Sequence, residues 1–202
     1  MLDAIDLACE RGARTLFRDL SFSLRGGELL RVAGANGSGK TSLLRILCGL
    51  LTPDAGEIRW NGGRIRDLRE EFSAQLLYLG HAPAIKDDLT ASENLRFSCA
   101  IAGRMPDRGR IDEALGALGL RDGEVPAGKL SQGQRRRAAL ARLALESDAP
   151  LWLLDEPFAA LDAEGAETVR ALIAAQLGRG GMVVYSTHQE LQLEGRVISL
   201  DA

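Results

Sequence analysis

The chain has 202 residues, 46% of them hydrophobic, which is enough for one well-buried core and favours a single domain. Its net charge of −3 argues against a basic surface that grips nucleic acid non-specifically. Three scattered cysteines, Cys9, Cys48 and Cys99, are typical of reduced thiols, and Cys48 lies in an apolar run that predicts a core position. No signal-peptide pattern is present, and no apolar run approaches the roughly 20 residues that span a bilayer.

The apolar patterns of the first half predict five strands and one helix. The strands are expected at 2–9, 16–24, 28–33, 56–60 and 75–79, and the helix at 41–50.

The second half begins with a change of pattern. From about 90 to 120 the periodicity is helical without strand candidates, which indicates a helical insertion in an α/β core. Further along, strands are expected at 151–156, 182–186 and 196–200, and helices at 131–145 and 163–177. Strands that alternate with helices favour a mainly parallel sheet with helices on both faces.

A glycine-rich loop, GANGSGKT at 34–41, follows a predicted strand and precedes a predicted helix. It satisfies GxxxxGK[ST], in which glycines let backbone N–H groups approach phosphate and the helix start faces the anion. Lys40 should reach the β- and γ-phosphates, and the Thr41 hydroxyl should bind Mg²⁺. A chance match in a glycine-rich turn is the alternative, and the loop alone leaves kinases, GTPases and helicases open. The nucleotide-binding residues expected here are Gly34, Ala35, Asn36, Gly37, Ser38, Gly39, Lys40, Thr41 and Ser42.

The apolar strand LWLLDE ends in Asp155 and Glu156. An acidic residue at the carboxyl edge of a parallel sheet lies beside the phosphate loop. Asp155 is therefore the expected ligand of Mg²⁺, and Glu156 the base that polarises the attacking water. A strand followed by a charged turn is the alternative for this motif taken alone.

The segment LSQGQ at 130–134 resembles the LSGGQ signature of ABC-type ATPases. Taken alone, it also fits an ordinary helix N-cap, with Ser131 as cap and Gln134 in a capping box. The phosphate loop, this segment, the acidic strand and His188 occur in the family's order, and the resemblance covers nearly the whole chain. It implies a P-loop NTPase fold of the ABC type: a mainly parallel core sheet, antiparallel N-terminal strands and a helical subdomain that bears the signature.

The resemblance implies one ABC ATPase domain over 1–202, with the core at 1–89 and 146–202 and the helical subdomain at about 90–145. It also implies a head-to-tail homodimer, because the family's signature grips the γ-phosphate held by a second subunit. Ser131, Gly133 and Gln134 would make that contact at a helix N-terminus.

Two further site residues follow from the resemblance. Asp162, in PFAALD at 157–162, matches the family's loop that joins the two sites across the dimer. His188 follows a predicted strand, at the position where the family has a switch histidine that contacts the γ-phosphate. The alternative is that His188 is an ordinary histidine of a surface loop. Lys40, Glu156 and His188 are thus the expected catalytic residues, with ATP and Mg²⁺ as ligands.

The chain departs from the family pattern at three positions. Gln132 replaces a glycine of the signature. His81 occupies the place of a glutamine that contacts Mg²⁺ and water; a neutral imidazole can still bond water, whereas an imidazolium opposes Mg²⁺. His81 is therefore either a replacement for that glutamine or a contact residue for a transmembrane partner. Arg11 stands near the position of an aromatic residue that stacks on adenine, and a guanidinium can also stack there.

The run Arg135-Arg136-Arg137 is the one strong positive cluster of the sequence. Because it opens a predicted helix, a solvated or interface face is the favoured interpretation over a nucleic-acid patch. The two histidines and scattered cysteines provide no metal-site spacing.

Within the family, the chain is most similar to the ATP-binding subunits of cytochrome c maturation, or haem export, systems. The resemblance rests on CERGARTLFRDLSFSL, LYLGHAPAIKDDLTASENLRF, LSQGQRRRAALARL and LWLLDEPFAALD followed by THQEL. It implies a peripheral ATPase on the cytoplasmic face of a bacterial inner membrane, partnered by integral membrane subunits. No haem site is visible in the sequence. The alternatives are the ATPase of another membrane transporter, or a soluble ABC protein acting on ribosomes or DNA.

Overall fold

In a computed structural model, residues 1–12, 14–145, 148–188 and 193–200 are described, and they form two compact units. The first unit comprises Met1–Tyr78, Ala149–Glu156 and Gln176–Ala202, and the second comprises Leu79–Asp148 and Pro157–Ala175. The second unit contains the predicted helical subdomain of about 90–145 and extends beyond it at both ends. That the chain functions as a single domain stays a prediction. The Gln189-Glu190-Leu191 part of the THQEL peptide lies outside the described residues.

Strands dominate the first unit. They are β1 Leu2–Arg11, β2 Arg14–Leu24, β3 Leu29–Ala33, β4 Ala55–Trp60, β5 Gly63–Arg64, β6 Leu76–Leu79, β7 Leu151–Asp155, β8 Met182–Ser186 and β9 Arg196–Ser199.

The α-helices are found in both units. They are α1 Lys40–Leu47, α2 Ile65–Ala74, α3 Ala91–Ile101, α4 Arg108–Ala117, α5 Gln132–Leu140, α6 Arg142–Leu145 and α7 Ala163–Gly178. In the described part of the chain, no helix is long and apolar enough to cross a membrane.

Two sheets organise the first unit. One has the order β2-β1-β4-β5 and is antiparallel, as predicted for the N-terminal strands. The other has the order β6-β7-β8-β3-β9, and its pairs β3–β8, β3–β9 and β7–β8 are parallel. All residues of β7 and β8 are buried, which is why these strands have continuous apolar sequences. The predicted mainly parallel core sheet is therefore confirmed.

The core of the first unit joins both sheets to α1. The inward side chains of β1, β2, β3 and β7 meet Leu43, Leu44 and Leu47 of α1, all of them fully buried. Trp60 and Phe72 pack with ring centroids 5.6 Å apart, and the Trp60 indole N–H donates to Gln75 Oε1 at 3.0 Å. This core packing holds α1 in place, and the start of α1 therefore stays next to the glycine loop.

Two predictions about elements were incomplete or wrong. The β5–α2 segment was not predicted, because α2 buries only Ile65 and Phe72 and most of its other residues are charged or polar. The helix expected at 131–145 is broken after Leu140. After the break, the N–H of Ala144 donates to the carbonyl of Ala141, three residues back, so the chain between α5 and α6 is wound more tightly than an α-helix.

Asn94 is the buried polar residue that holds the chain entering α3. Its amide N–H₂ donates to the carbonyls of Lys86, Leu89 and Thr90, and its Oδ1 accepts from the N–H of Lys86. With 4% of its surface exposed, this amide replaces water for four backbone groups.

We expect Asn94→Ala to lower the free energy of unfolding by about 2–3 kcal/mol, because backbone groups lose their partners in a buried site. Urea denaturation measures this change. Arg96→Ala, at an exposed position of the same helix, is the control and should change stability by less than about 0.5 kcal/mol. Equal stability of the two variants would show that the amide is dispensable.

Candidate nucleotide-binding site

The glycine loop connects β3 directly to α1, as the sequence predicts. Gly34, Gly37 and Gly39 have φ values of 145°, 81° and 106°. Gly39 is the N-cap of α1, and an added Cβ there would lie 3.0 Å from the Leu16 Cβ. Both the backbone conformation and the close approach of β2 therefore require glycine at this position.

Lys40 and Ser38 direct polar groups into this loop. The Lys40 side chain is folded over the loop, and its ammonium donates to the carbonyls of Gly34 and Ala35 at 2.7 and 2.9 Å. Ser38 is 6% exposed, and its hydroxyl has no hydrogen-bond partner among the described residues. The first N–H groups of α1 also lack intrahelical acceptors. A buried ammonium, an unpaired hydroxyl and a helix start together suit an anion with several oxygens.

Asp155 lies at the end of β7 and joins three elements of the first unit. The Thr41 hydroxyl donates to its Oδ2 at 2.8 Å, and the Ser186 hydroxyl donates to its Oδ1 at 2.6 Å. The carboxylate is 1% exposed. The two predicted ligands of Mg²⁺ are thus adjacent, although they are 114 positions apart in sequence.

Glu156 and His188 form a pair beside this carboxylate. His188 Nδ1 lies 3.1 Å from Glu156 Oε2, and the exposed fractions of the two side chains are 49% and 12%. Glu156 has a φ of 52°, which is uncommon for a residue with a side chain. Its N–H donates to the Ser186 hydroxyl at 2.9 Å, which holds the residue in this conformation.

Two residues near this site were not singled out in the sequence. Ser186 ends β8, the neighbour of β7, so the rule that functional residues follow parallel strands could have found it. Arg14 begins β2, and a methyl group built on Gly37 would lie 3.9 Å from its Nη1. No sequence pattern indicated Arg14. The predicted Arg11 is the exposed last residue of β1, and its role at the base stays a prediction.

The predicted signature residues belong to the second unit. Ser131 is the N-cap of α5 in a capping box: its hydroxyl accepts from the Gln134 N–H at 3.2 Å, and Gln134 Oε1 accepts from the Ser131 N–H at 2.9 Å. A Cβ on Gly133 would lie 3.1 Å from the Ala160 carbonyl oxygen. The capping box therefore exists, and it leaves the start of α5 preorganised for an anion.

Asp162 is also in the second unit and is held from two sides. Its Oδ1 accepts from the Gly165 N–H at 2.9 Å, and its Oδ2 accepts from Arg137 at 2.5 Å. These two partners, the Gly165 N–H foremost, hold the pKa of the Asp162 carboxyl below its usual value. The carboxylate is therefore a fixed anion at the start of α7.

His81 is exposed, and its backbone carbonyl accepts from Arg136 Nη1 at 3.2 Å. Arg136 itself is 5% exposed. The expectation of a solvated or interface face for the arginine run is thus wrong for Arg136, because its guanidinium is hydrogen-bonded inside the second unit. In the described ranges, no cluster of three or more His, Cys, Asp or Glu residues could hold a metal ion by itself.

Comparisons with known proteins show which proteins this chain resembles. Residues 17–159 match the ABC transporter family. Curated relatives include the cytochrome c biogenesis ATP-binding export proteins CcmA of Nitrosomonas europaea and Aromatoleum aromaticum. The first is 55% identical over 95% of this chain and 90% of its own length, and the second is 55% identical over 94% of this chain and 89% of its own.

Solved structures show the same fold. An ABC transporter ATP-binding protein from Pyrococcus furiosus has a TM-score of 0.85 at 26% identity, covering 98% of this chain and 96% of its own. A dimeric ATP-binding cassette in a post-hydrolysis state, with bound ADP and phosphate, has a TM-score of 0.81 at 26% identity, over 94% of this chain and 88% of its own. The chain therefore belongs to the ABC transporter family, as a nucleotide-binding ATPase whose hydrolysis of ATP is coupled to transport.

Proposed function

We propose that this chain is the ATP-hydrolysing subunit of a transporter that serves c-type cytochrome biogenesis, by exporting haem or releasing it to a chaperone. ATP hydrolysis is supported by one observation: the fold brings five side chains together at the glycine loop, those of Lys40, Thr41, Asp155, Glu156 and His188. The relatives at 55% identity over most of their length support the cytochrome c part. The export machinery itself would lie in partner subunits.

Phosphate binding follows from the loop. Lys40 turns its ammonium into the loop, where the β- and γ-phosphates can replace the carbonyls of Gly34 and Ala35 as acceptors. The buried Ser38 hydroxyl and the first N–H groups of α1 provide further donors. The loop thus stabilises the negative charge of the phosphates with one ammonium, one hydroxyl and several backbone N–H groups.

The Thr41 hydroxyl and the Asp155 carboxylate would hold Mg²⁺. Both are oxygen donors, and Mg²⁺ is usually held by one or two such groups together with phosphates and waters. When bound, the ion neutralises charge that develops on the phosphate oxygens. Ser186 keeps Asp155 oriented through the second carboxylate oxygen.

Hydrolysis would be carried by Glu156 and His188. Glu156 is an acceptor for a proton of the attacking water and holds that water in line with the γ-phosphate. His188 has Nδ1 directed to Glu156, which leaves Nε2 to contact the γ-phosphate. The short Glu156–His188 contact therefore orients both side chains before nucleotide arrives.

We also propose that the working form is a head-to-tail homodimer in which Ser131, Gly133 and Gln134 of one copy meet the nucleotide held by Lys40 of the other. The dimeric solved cassette and the preorganised start of α5 support this assembly. In cells, the dimer would bind integral membrane subunits from the cytoplasmic side of the inner membrane.

Glu156→Gln should leave ATP affinity within about twofold, lower kcat by at least about 100-fold and accumulate an ATP-bound dimer, because the amide is isosteric but cannot accept the proton. Phosphate release, nucleotide binding and size-exclusion chromatography measure these effects. The matched control is Glu164→Gln, an exposed residue in the first turn of α7, which should behave like the wild type. Wild-type turnover by Glu156→Gln would reject the assignment of the base.

The composite site can be tested by mixing two inactive variants, Lys40→Ala and Ser131→Arg. A mixed dimer contains one site in which both residues are intact and one in which both are altered. When equal amounts are mixed, about half of the dimers are mixed and half of their sites are intact, so turnover should recover to about a quarter of the wild-type rate. Each variant alone should stay inactive. If mixing restores nothing, Lys40 and Ser131 do not belong to sites shared between copies.

The role in cells is tested by complementation of a strain that lacks its own c-type cytochrome ATPase subunit. The wild type and Glu164→Gln should restore haem-stained c-type cytochromes, and Glu156→Gln should not. Fractionation adds a second measurement: without the integral membrane partners, the protein should leave the membrane fraction. If Glu156→Gln restored the cytochromes, ATP hydrolysis by this chain would not be required for c-type cytochrome biogenesis, and the proposed role would be wrong.

A further inference from the structure

The three arginines that follow the signature each have a different partner within the second unit. Arg135 pairs with Asp87 at 2.9 Å, Arg137 pairs with Asp162, and Arg136 reaches the backbone of residues 80 and 81. One turn of α5 therefore sends two guanidinium groups to the segment 80–87 and the third to Asp162.

Arg136 makes the contact that is most distant in sequence. Its Nη1 donates to the carbonyls of Gly80 at 2.8 Å and His81 at 3.2 Å, 56 and 55 positions away. The residue is 5% exposed. A buried guanidinium stays close to its acceptors, because moving away would leave a charge inside the protein without hydrogen bonds. The bond is therefore a tight link between α5 and the residues that follow β6.

The other end of the same segment is also tied to α5. Arg135, which pairs with Asp87, donates to the carbonyls of Gly128 and Leu130, the residues that lead into the signature. Residues 80–87 are thus held near both ends by neighbouring arginines of one helix. A shift of the α5 N-terminus would carry this segment with it.

We propose that Arg136 is a positioning residue that transmits nucleotide contact at Ser131 to the segment 80–87, which bears His81. The proposal rests on the proposed function, in which Ser131 meets the nucleotide of the second copy. Arg136 acts through the backbone of the His81 segment, which it positions relative to α5. The side chain of His81 is exposed, so the segment it belongs to is available to respond.

Hydrogen–deuterium exchange of peptides covering 79–87, with and without a non-hydrolysable ATP analogue, tests this role. We expect the analogue to slow exchange in the wild type by at least about threefold. In Arg136→Met, which keeps the side-chain length but has no donors, exchange without nucleotide should rise about tenfold and the response to the analogue should disappear, with ATP affinity within about twofold of the wild type. The control is Arg104→Met, which breaks a different arginine link in the same unit, to Asp148, and should respond like the wild type.

Two results would overturn the proposal: an unchanged response of 79–87 in Arg136→Met, or a response lost only in proportion to ATP affinity. If Arg136→Met does not fold, Arg136→Gln takes its place. It keeps one amide donor, so it should show a partial loss, and a full wild-type response would overturn the proposal. Failure of the proposed function is distinct, because mixing Lys40→Ala with Ser131→Arg would then restore no turnover, while the nucleotide-free exchange of Arg136→Met would still report on the link.

Discussion

The carboxylate of Asp155 is the group on which the rest of the site depends. It is buried at the end of β7 and accepts from Thr41, at the start of α1, and from Ser186, at the end of β8. Each of its oxygens therefore holds a different element. An ionised carboxylate is costly to bury unless its oxygens are hydrogen-bonded, so the two hydroxyls stabilise the charge and the charge orders the two elements. The glycine loop lies between β3 and the helix that this link fixes.

Glu156 shows how the same link extends to the reacting groups. It follows Asp155 directly, in a backbone conformation that costs energy for a residue with a side chain. The hydroxyl of Ser186 both donates to Asp155 and accepts the Glu156 N–H. One serine thus orients the group proposed to hold Mg²⁺ and the group proposed to hold water. Such prior ordering reduces the reorganisation that hydrolysis requires.

The second unit uses charge in a different way. Its arginine run would form a basic patch if it were solvated, but Arg136 is buried and its neighbours pair with Asp87 and Asp162. The charges act as internal links from the signature helix to two loops. The run therefore contributes two ion pairs and one buried guanidinium to a chain whose net charge is −3.

Local sequence was enough to predict the glycine loop, the buried strands β7 and β8 and the capping box at Ser131, because each depends on residues close together in the chain. Two contacts became apparent only in the folded chain: the hydrogen bond from Ser186 to Asp155, and the burial of Arg136 on the carbonyls of Gly80 and His81. Those contacts join residues 31 to 56 positions apart, and no local pattern encodes which partner a polar side chain reaches across a fold. The missed helix α2 has the same cause, since its few buried residues are defined by packing rather than by periodicity.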